Sequence, residues 1–207
     1  MLKRTMGRSL LTLLVITGLA GTINDFTITK DERKAAIKLM KDTKADVLNS
    51  VKGLSDAQLN FKAAPDKWSV KECVYHIAIS EKNLWDMMER TMKSPANPEK
   101  RSEIKVSDEQ LIKMIEDRSN KVKTNEAFEP KNTPYQSLDD ALESFKSRRM
   151  DHIKYMKSTT EDMHNHVAPL PFGMIDCYQI CLFMAAHSNR HLQQINEVKS
   201  DPAFPKN

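Results

Sequence analysis

Apolar residues recur every third or fourth position in four separate stretches of the chain, and each stretch predicts a helix with one buried face. Ala36, Met40, Thr43, Val47 and Leu54 trace the first, from about Asp31 to Val51, with lysines and aspartates on the opposite side. Cys73, His76, Ile77, Ser80, Leu84 and Met88 mark the second, from Val70 to about Met92. Leu138, Leu142, Phe145, His152 and Met156 mark the third, from Ser137 to Thr160. Ile180, Met184, His187, His191, Ile195 and Val198 mark the last, from about Met174 to Lys199. A shorter stripe of Leu111, Met114, Ile115, Arg118 and Val122 adds one small helix before the third.

Capping signals sharpen two of these boundaries. In Trp68-Ser69-Val70-Lys71-Glu72 the Ser69 hydroxyl can accept from the Glu72 backbone while the Glu72 carboxylate reaches back, which is a capping box. Trp68 precedes that cap and is placed to pack on Cys73. Ser107-Asp108-Glu109-Gln110 is a second box and opens the small helix. Pro65 forbids a continuous helix from Gly53 to Lys67, where Leu54 to Leu59 allow a single turn. Pro95 and Pro98 end the second helix, and Asn97 to Lys105 reads as a polar loop. Lys123 to Gln136, with Pro130 and Pro134, reads as a long loop. His164-Asn165-His166 falls in an exposed connection that ends at Pro169-Leu170-Pro171-Phe172-Gly173. Four long helices and one short one predict an all-α four-helix bundle over residues 31–199, between tails at 21–30 and 200–207.

Composition changes this picture mainly at the N-terminus. The chain has 207 residues, 40% of them hydrophobic, and only 5 glycines against 12 methionines, which suits a single helical core. Residues 1–20 read as a secretory signal peptide: Lys3, Arg4 and Arg8, then the apolar run Leu10 to Ile16, then Gly18-Leu19-Ala20. The run is shorter than the roughly 20 residues a membrane span needs, so a periplasmic or secreted protein is expected, and a membrane-anchored one if the leader stays uncleaved. Losing those three cations lowers the formal charge from +4 to +1. Without a basic stripe there is no support for nucleic-acid binding. Cys73, Cys177 and Cys181 sit on apolar stretches and read as small buried hydrophobes. A methionine-rich bundle also allows a homodimer.

The candidate chemistry lies on the last helix. His187 and His191 are four residues apart, hence one turn apart on one face, and that face is the apolar one. Two inward imidazoles can bind one divalent ion, Zn²⁺ or Ni²⁺ first and Fe²⁺ next. His76 is inward on a helix whose start is fixed by its cap, which makes it the best third ligand. Three histidines leave coordination positions open for water or a small-molecule substrate. His152 is the remaining inward histidine and the candidate proton shuttle, or a residue supporting the ligands.

The segment Trp68-Ser69-Val70-Lys71-Glu72-Cys73-Val74-Tyr75-His76-Ile77 resembles the W-S-x-x-E-x-x-x-H segment of the DinB/YfiT-like superfamily. His187-Ser188-Asn189-Arg190-His191-Leu192-Gln193-Gln194-Ile195 resembles its H-x-x-x-H-x-x-Q-I ending. That resemblance implies an up-down-down-up four-helix bundle with a divalent metal held by His76, His187 and His191 near one end. It also implies a metal-dependent hydrolase, or a transferase that uses a small cytosolic thiol. The predicted leader departs from the family pattern and would separate the protein from that thiol pool. A non-catalytic exported metal-binding or stress-related module is the third reading.

Overall fold

The computed structural model describes residues 27–119 and 122–206. The leader read over residues 1–20, and residues 21–26 of the predicted tail, lie outside the described residues. The helices are α1 (Lys30–Ser50), α2 (Asp56–Asn60), α3 (Val70–Lys93), α4 (Asp108–Glu116), α5 (Leu138–Ser158) and α6 (Cys177–Lys199). Both predicted capping boxes form, at Ser69/Glu72 and Ser107/Gln110. Two more, at Thr29/Glu32 and Ser55/Gln58, follow the same hydroxyl-x-x-Glu/Gln pattern.

Helices α1, α3, α5 and α6 form the bundle, with α1 diagonal to α3 and α5 diagonal to α6. Tyr178 at the head of α6 donates to the Glu32 carbonyl, and Lys199 at its end donates to the Ser50 carbonyl, so α1 and α6 run together. Arg33 at the head of α1 donates to the Met156 and Thr159 carbonyls at the end of α5, which therefore runs the other way. The Cys177 thiol meets the Met88 carbonyl late in α3, so α3 also runs opposite to α6. The order is up-down-down-up. Two successive helices in one direction require a crossover along the whole bundle, and residues 94–137 provide it. That crossover lays α4 against α6 and brings the 3₁₀ turns Glu126–Phe128 and Pro130–Asn132 against α3.

The apolar core falls into two clusters. Met40, Met88, Met156, Ile180 and Met184 fill one, and Val47, Cys73, Val74, Phe145 and Ile195 the other. Each such side chain contributes about 1.5–3 kcal/mol by leaving water. Residues 200–206 pack back on the domain, where Phe204 meets the Phe61 ring edge-on at 5.5 Å.

Several local expectations are corrected. The last helix does not begin at Met174, because Val167–Leu170 and Gly173–Asp176 pair as an antiparallel hairpin and Asp176 caps α6. Pro171 and Phe172 make the turn, and Gly173 takes φ 136°, a conformation open to glycine. Helix α4 stops at Glu116, so Arg118 and Val122 lie past it. The polar loop near residue 100 contains a 3₁₀ helix, Pro98–Glu103. His164 and His166 are half-buried rather than exposed: His164 bonds Asp176, and His166 bonds the Thr91 carbonyl. The three cysteines are free and buried. Burial raises the pKa of each, that of Cys177 to about 12, which leaves none as a ready thiolate nucleophile.

Candidate metal centre

His76 stands on the second turn of α3, at a height set by the Ser69 cap. His187 and His191 lie one turn apart on α6, which packs antiparallel against α3. The three imidazoles meet between the two helices, and their ligand atoms all lie within 4.8 Å of one another. His187 Nε2 is 3.3 Å from His76 Nε2 and 3.2 Å from His191 Nε2. Three nitrogens about 2.0–2.1 Å from one tetrahedral ion stand roughly 3.3–3.4 Å apart, so the spacing fits a shared cation.

The outer nitrogens fix the tautomers. His76 Nδ1 donates to the Phe128 carbonyl at 2.7 Å, and His191 Nδ1 donates to Gln194 Oε1 at 2.9 Å. Both rings therefore present Nε2 lone pairs to the common point, the arrangement that supporting hydrogen bonds impose on metal-bound imidazoles. The Ser80 hydroxyl stands 3.4 Å from His76 Nε2. Trp68 lies over His191 at 5.8 Å and against His76 at 4.8 Å. On the other side Phe183 meets His187 edge-on at 5.9 Å, and the hairpin residue Phe172 packs on Phe183.

Burial keeps the group uncharged. It pushes His76 down to about 4 against the pull of the Phe128 carbonyl. His187 and His191 lie well below the ordinary imidazole value, through burial first and then the positive charge of neighbouring groups. Neutral imidazole is the ligand form.

His152 takes a different place. Its Nδ1 donates to Glu81 Oε1 at 2.8 Å and its ring stacks on Trp85 at 3.8 Å. Glu81 in turn receives Arg149 Nε and Nη2 at 2.7 and 2.6 Å. Burial alone would raise the Glu81 pKa, but Arg149 and His152 overcome it and hold the carboxyl below its usual value.

The periodicity and the cap brought His76, His187 and His191 into view. Sequence reasoning missed Phe128, Glu81 and Arg149, and it quoted Gln194 in a motif without giving it a task. Only Gln194 had a readable signal, three residues after His191 and so on the same helix face.

A family model described as the DinB superfamily matches residues 39–195. The uncharacterized protein YuaE of Bacillus subtilis (strain 168) is 26% identical over 169 residues, which cover 79% of this chain and 96% of that protein. Among solved structures, YfiT from Bacillus subtilis, described as a probable metal-dependent hydrolase with an unusual four-helix bundle topology, matches with a TM-score of 0.57. The match covers 84% of this chain and 89% of that one at 16% identity, and it shows a shared fold.

Proposed function

The chain belongs to the DinB superfamily, and from that premise we propose that His76, His187 and His191 hold one divalent ion for metal-dependent hydrolysis of a small molecule. The observation that carries this is the convergence of the three Nε2 atoms at tetrahedral ligand spacing. Three neutral nitrogen donors suit Zn²⁺ or Ni²⁺, with Fe²⁺ next. Such an ion supplies Lewis acidity and lowers the pKa of a coordinated water toward about 7. The Phe128 carbonyl and Gln194 hold the His76 and His191 rings in the ligating tautomer. Trp68 and Phe183 line the site with aromatic surface. The description of YfiT as a probable metal-dependent hydrolase supports the same reaction class.

Metal analysis of protein purified without chelators is the first test. Wild type is expected to carry stoichiometric metal and His187→Ala and His191→Ala to lose it. Equal, negligible content in all three, with no thermal stabilisation by added Zn²⁺ or Ni²⁺, removes the basis of the reading. Metal-dependent cleavage across a panel of p-nitrophenyl esters and amides then tests hydrolysis. Turnover only with an added low-molecular-weight thiol would replace hydrolase by transferase. Export from the cytoplasm is proposed on the leader at residues 1–20, and N-terminal sequencing of the mature protein tests it.

A further inference from the structure

The crossover lays an almost self-contained segment against the histidine triad. Among the described residues, 122–134 make a single hydrogen bond to the bundle helices, from His76 Nδ1 to the Phe128 carbonyl at 2.7 Å. The other bonds of the segment are internal. The backbone N–H groups of Phe128, Glu129, Asn132 and Thr133 each reach a carbonyl three residues back, and the Asn132 side chain donates to the Glu126 carbonyl. Lys131 lies 2.8 Å from Glu129, within the same stretch. Attachment to the bundle resumes on either side, where Arg118 holds Glu197 of α6 through two bonds of 2.6 Å and the Tyr135 hydroxyl donates to the Ala78 carbonyl of α3.

A cleft of about 610 Å³ lies between this segment and the bundle, with Thr124 and Glu129 on one wall and Trp68, His191 and Gln194 on the other. Pro130 is buried and Phe128 half-buried, so the segment rests on little apolar contact besides its one bond to His76. A stretch joined so sparsely to its neighbours opens at low free energy while the helices beneath stay folded. The single bond is also placed to sense the site. A cation on Nε2 draws electron density from the imidazole and makes Nδ1–H a stronger donor, so loading tightens the hold on the Phe128 carbonyl. The coupling is reciprocal: the factor that loading adds to closure is the factor that closure adds to affinity for the ion.

We infer that residues 125–133 form a cover latched by His76, which closes over the cleft when the triad is loaded and shuts the reacting group of a small molecule away from water. The latch stands on the geometry alone, and only its response to loading rests on the metal reading. Hydrogen–deuterium exchange of the full chain, read on peptides across residues 125–133, tests both parts beside a calorimetric Zn²⁺ titration. In metal-free protein, His76→Phe keeps a ring but removes the latch and should quicken exchange about threefold or more, whereas His187→Ala keeps the latch and should exchange as wild type does. Saturating Zn²⁺ should slow wild-type exchange about tenfold and leave His187→Ala unchanged. Pro130→Gly replaces no triad ligand but frees the open segment, and should weaken zinc binding about three- to tenfold. With Trp85→Phe as background, so that Trp68 alone reports from the cleft, the same substitution should raise acrylamide quenching. Melting curves check that the variants fold. Equal exchange in metal-free wild type and His76→Phe, zinc binding without slowed exchange, or quenching unmoved by Pro130→Gly each overturns the inference. Absent zinc binding, with His76→Phe still opening the segment, would instead sink the metal reading and leave the latch standing.

Discussion

Arg149 and the histidine triad lie in the same bundle, with Arg149, His76 and His191 buried and His187 half-buried, and Arg149 bonds Ser188, the residue next to His187, yet their hydrogen bonds are organised in opposite ways. Arg149 has five N–H donors and makes five bonds, two to Glu81 on α3, two to the Met40 carbonyl and Thr43 on α1, and one to Ser188 on α6. From α5 it thus ties together all four bundle helices. Glu81 also receives His152, so the cluster is closed. In the triad the outer nitrogens of His76 and His191 are bonded, while the Nε2 atoms face one another. A closed buried network holds helices in place, whereas converging lone pairs make a place for a cation.

The largest expected effect breaks the closed cluster. Arg149→Ala or Glu81→Ala leaves a buried partner uncompensated and should cost about 3–5 kcal/mol. Replacing both together by Arg149→Met and Glu81→Leu should recover much of that loss, because no buried charge is then stranded. Denaturant midpoints at unchanged m-value measure both effects. A single truncation that costs under roughly 1 kcal/mol would show that this network is not what positions the helices.

The open cluster should respond in the other manner. In metal-free protein, His187→Ala is expected to change stability by less than about 1 kcal/mol, since it removes a desolvated ring that lacks a counter-charge. With Zn²⁺ at a hundred times its dissociation constant, wild type should gain about 2.7 kcal/mol and the variant close to none. A large loss in the metal-free variant would make the triad a structural group like the Arg149 cluster.

Gln194 gives a finer cut. Gln194→Leu removes the acceptor that sets the His191 tautomer and should weaken metal binding roughly 10–100-fold with little change in metal-free stability. His152→Ala should do the reverse, lowering stability while sparing metal affinity, because its bonds run to Glu81 and Trp85. Equal effects of the two variants on zinc titration would erase the distinction between the clusters.

The same contrast explains what the sequence made legible. The triad declared itself because histidines on an apolar stripe are conspicuous, and the Ser69 cap fixed the helix position of His76. Glu81 and Arg149 were invisible, since a charged residue among charged neighbours reads as a solvated face. They are 68 residues apart, and only the parallel packing of α3 on α5 brings them together. A backbone carbonyl such as that of Phe128 carries no residue signature at all. The hairpin was lost because Met174 and Ile175 extend the apolar run into α6. Asp176, three residues before the Gln179 backbone it caps, was the overlooked stop.

The smallest expected effect concerns His164, a histidine with carboxylates beside it, unlike those of the triad. Its Nδ1 lies 2.8 Å from Asp176 Oδ2 and its Nε2 3.5 Å from Glu32 Oε2. The bond to Asp176 raises its pKa against the opposing effect of burial, and both acidic charges add to the rise. The folded protein therefore binds this proton more tightly than the unfolded chain, whose imidazole titrates near about 6.5. The resulting stabilisation is fully present below about pH 6.5 and is lost as pH rises through the higher folded value. Half-buried pairs of this kind contribute on the order of 1 kcal/mol. Between pH 5.5 and 8.5, wild type should lose about that much relative to His164→Gln, read as the difference in urea midpoints. A difference that stays constant with pH would mean that His164 remains neutral in the fold, and its carboxylate neighbours would then not distinguish it from the triad.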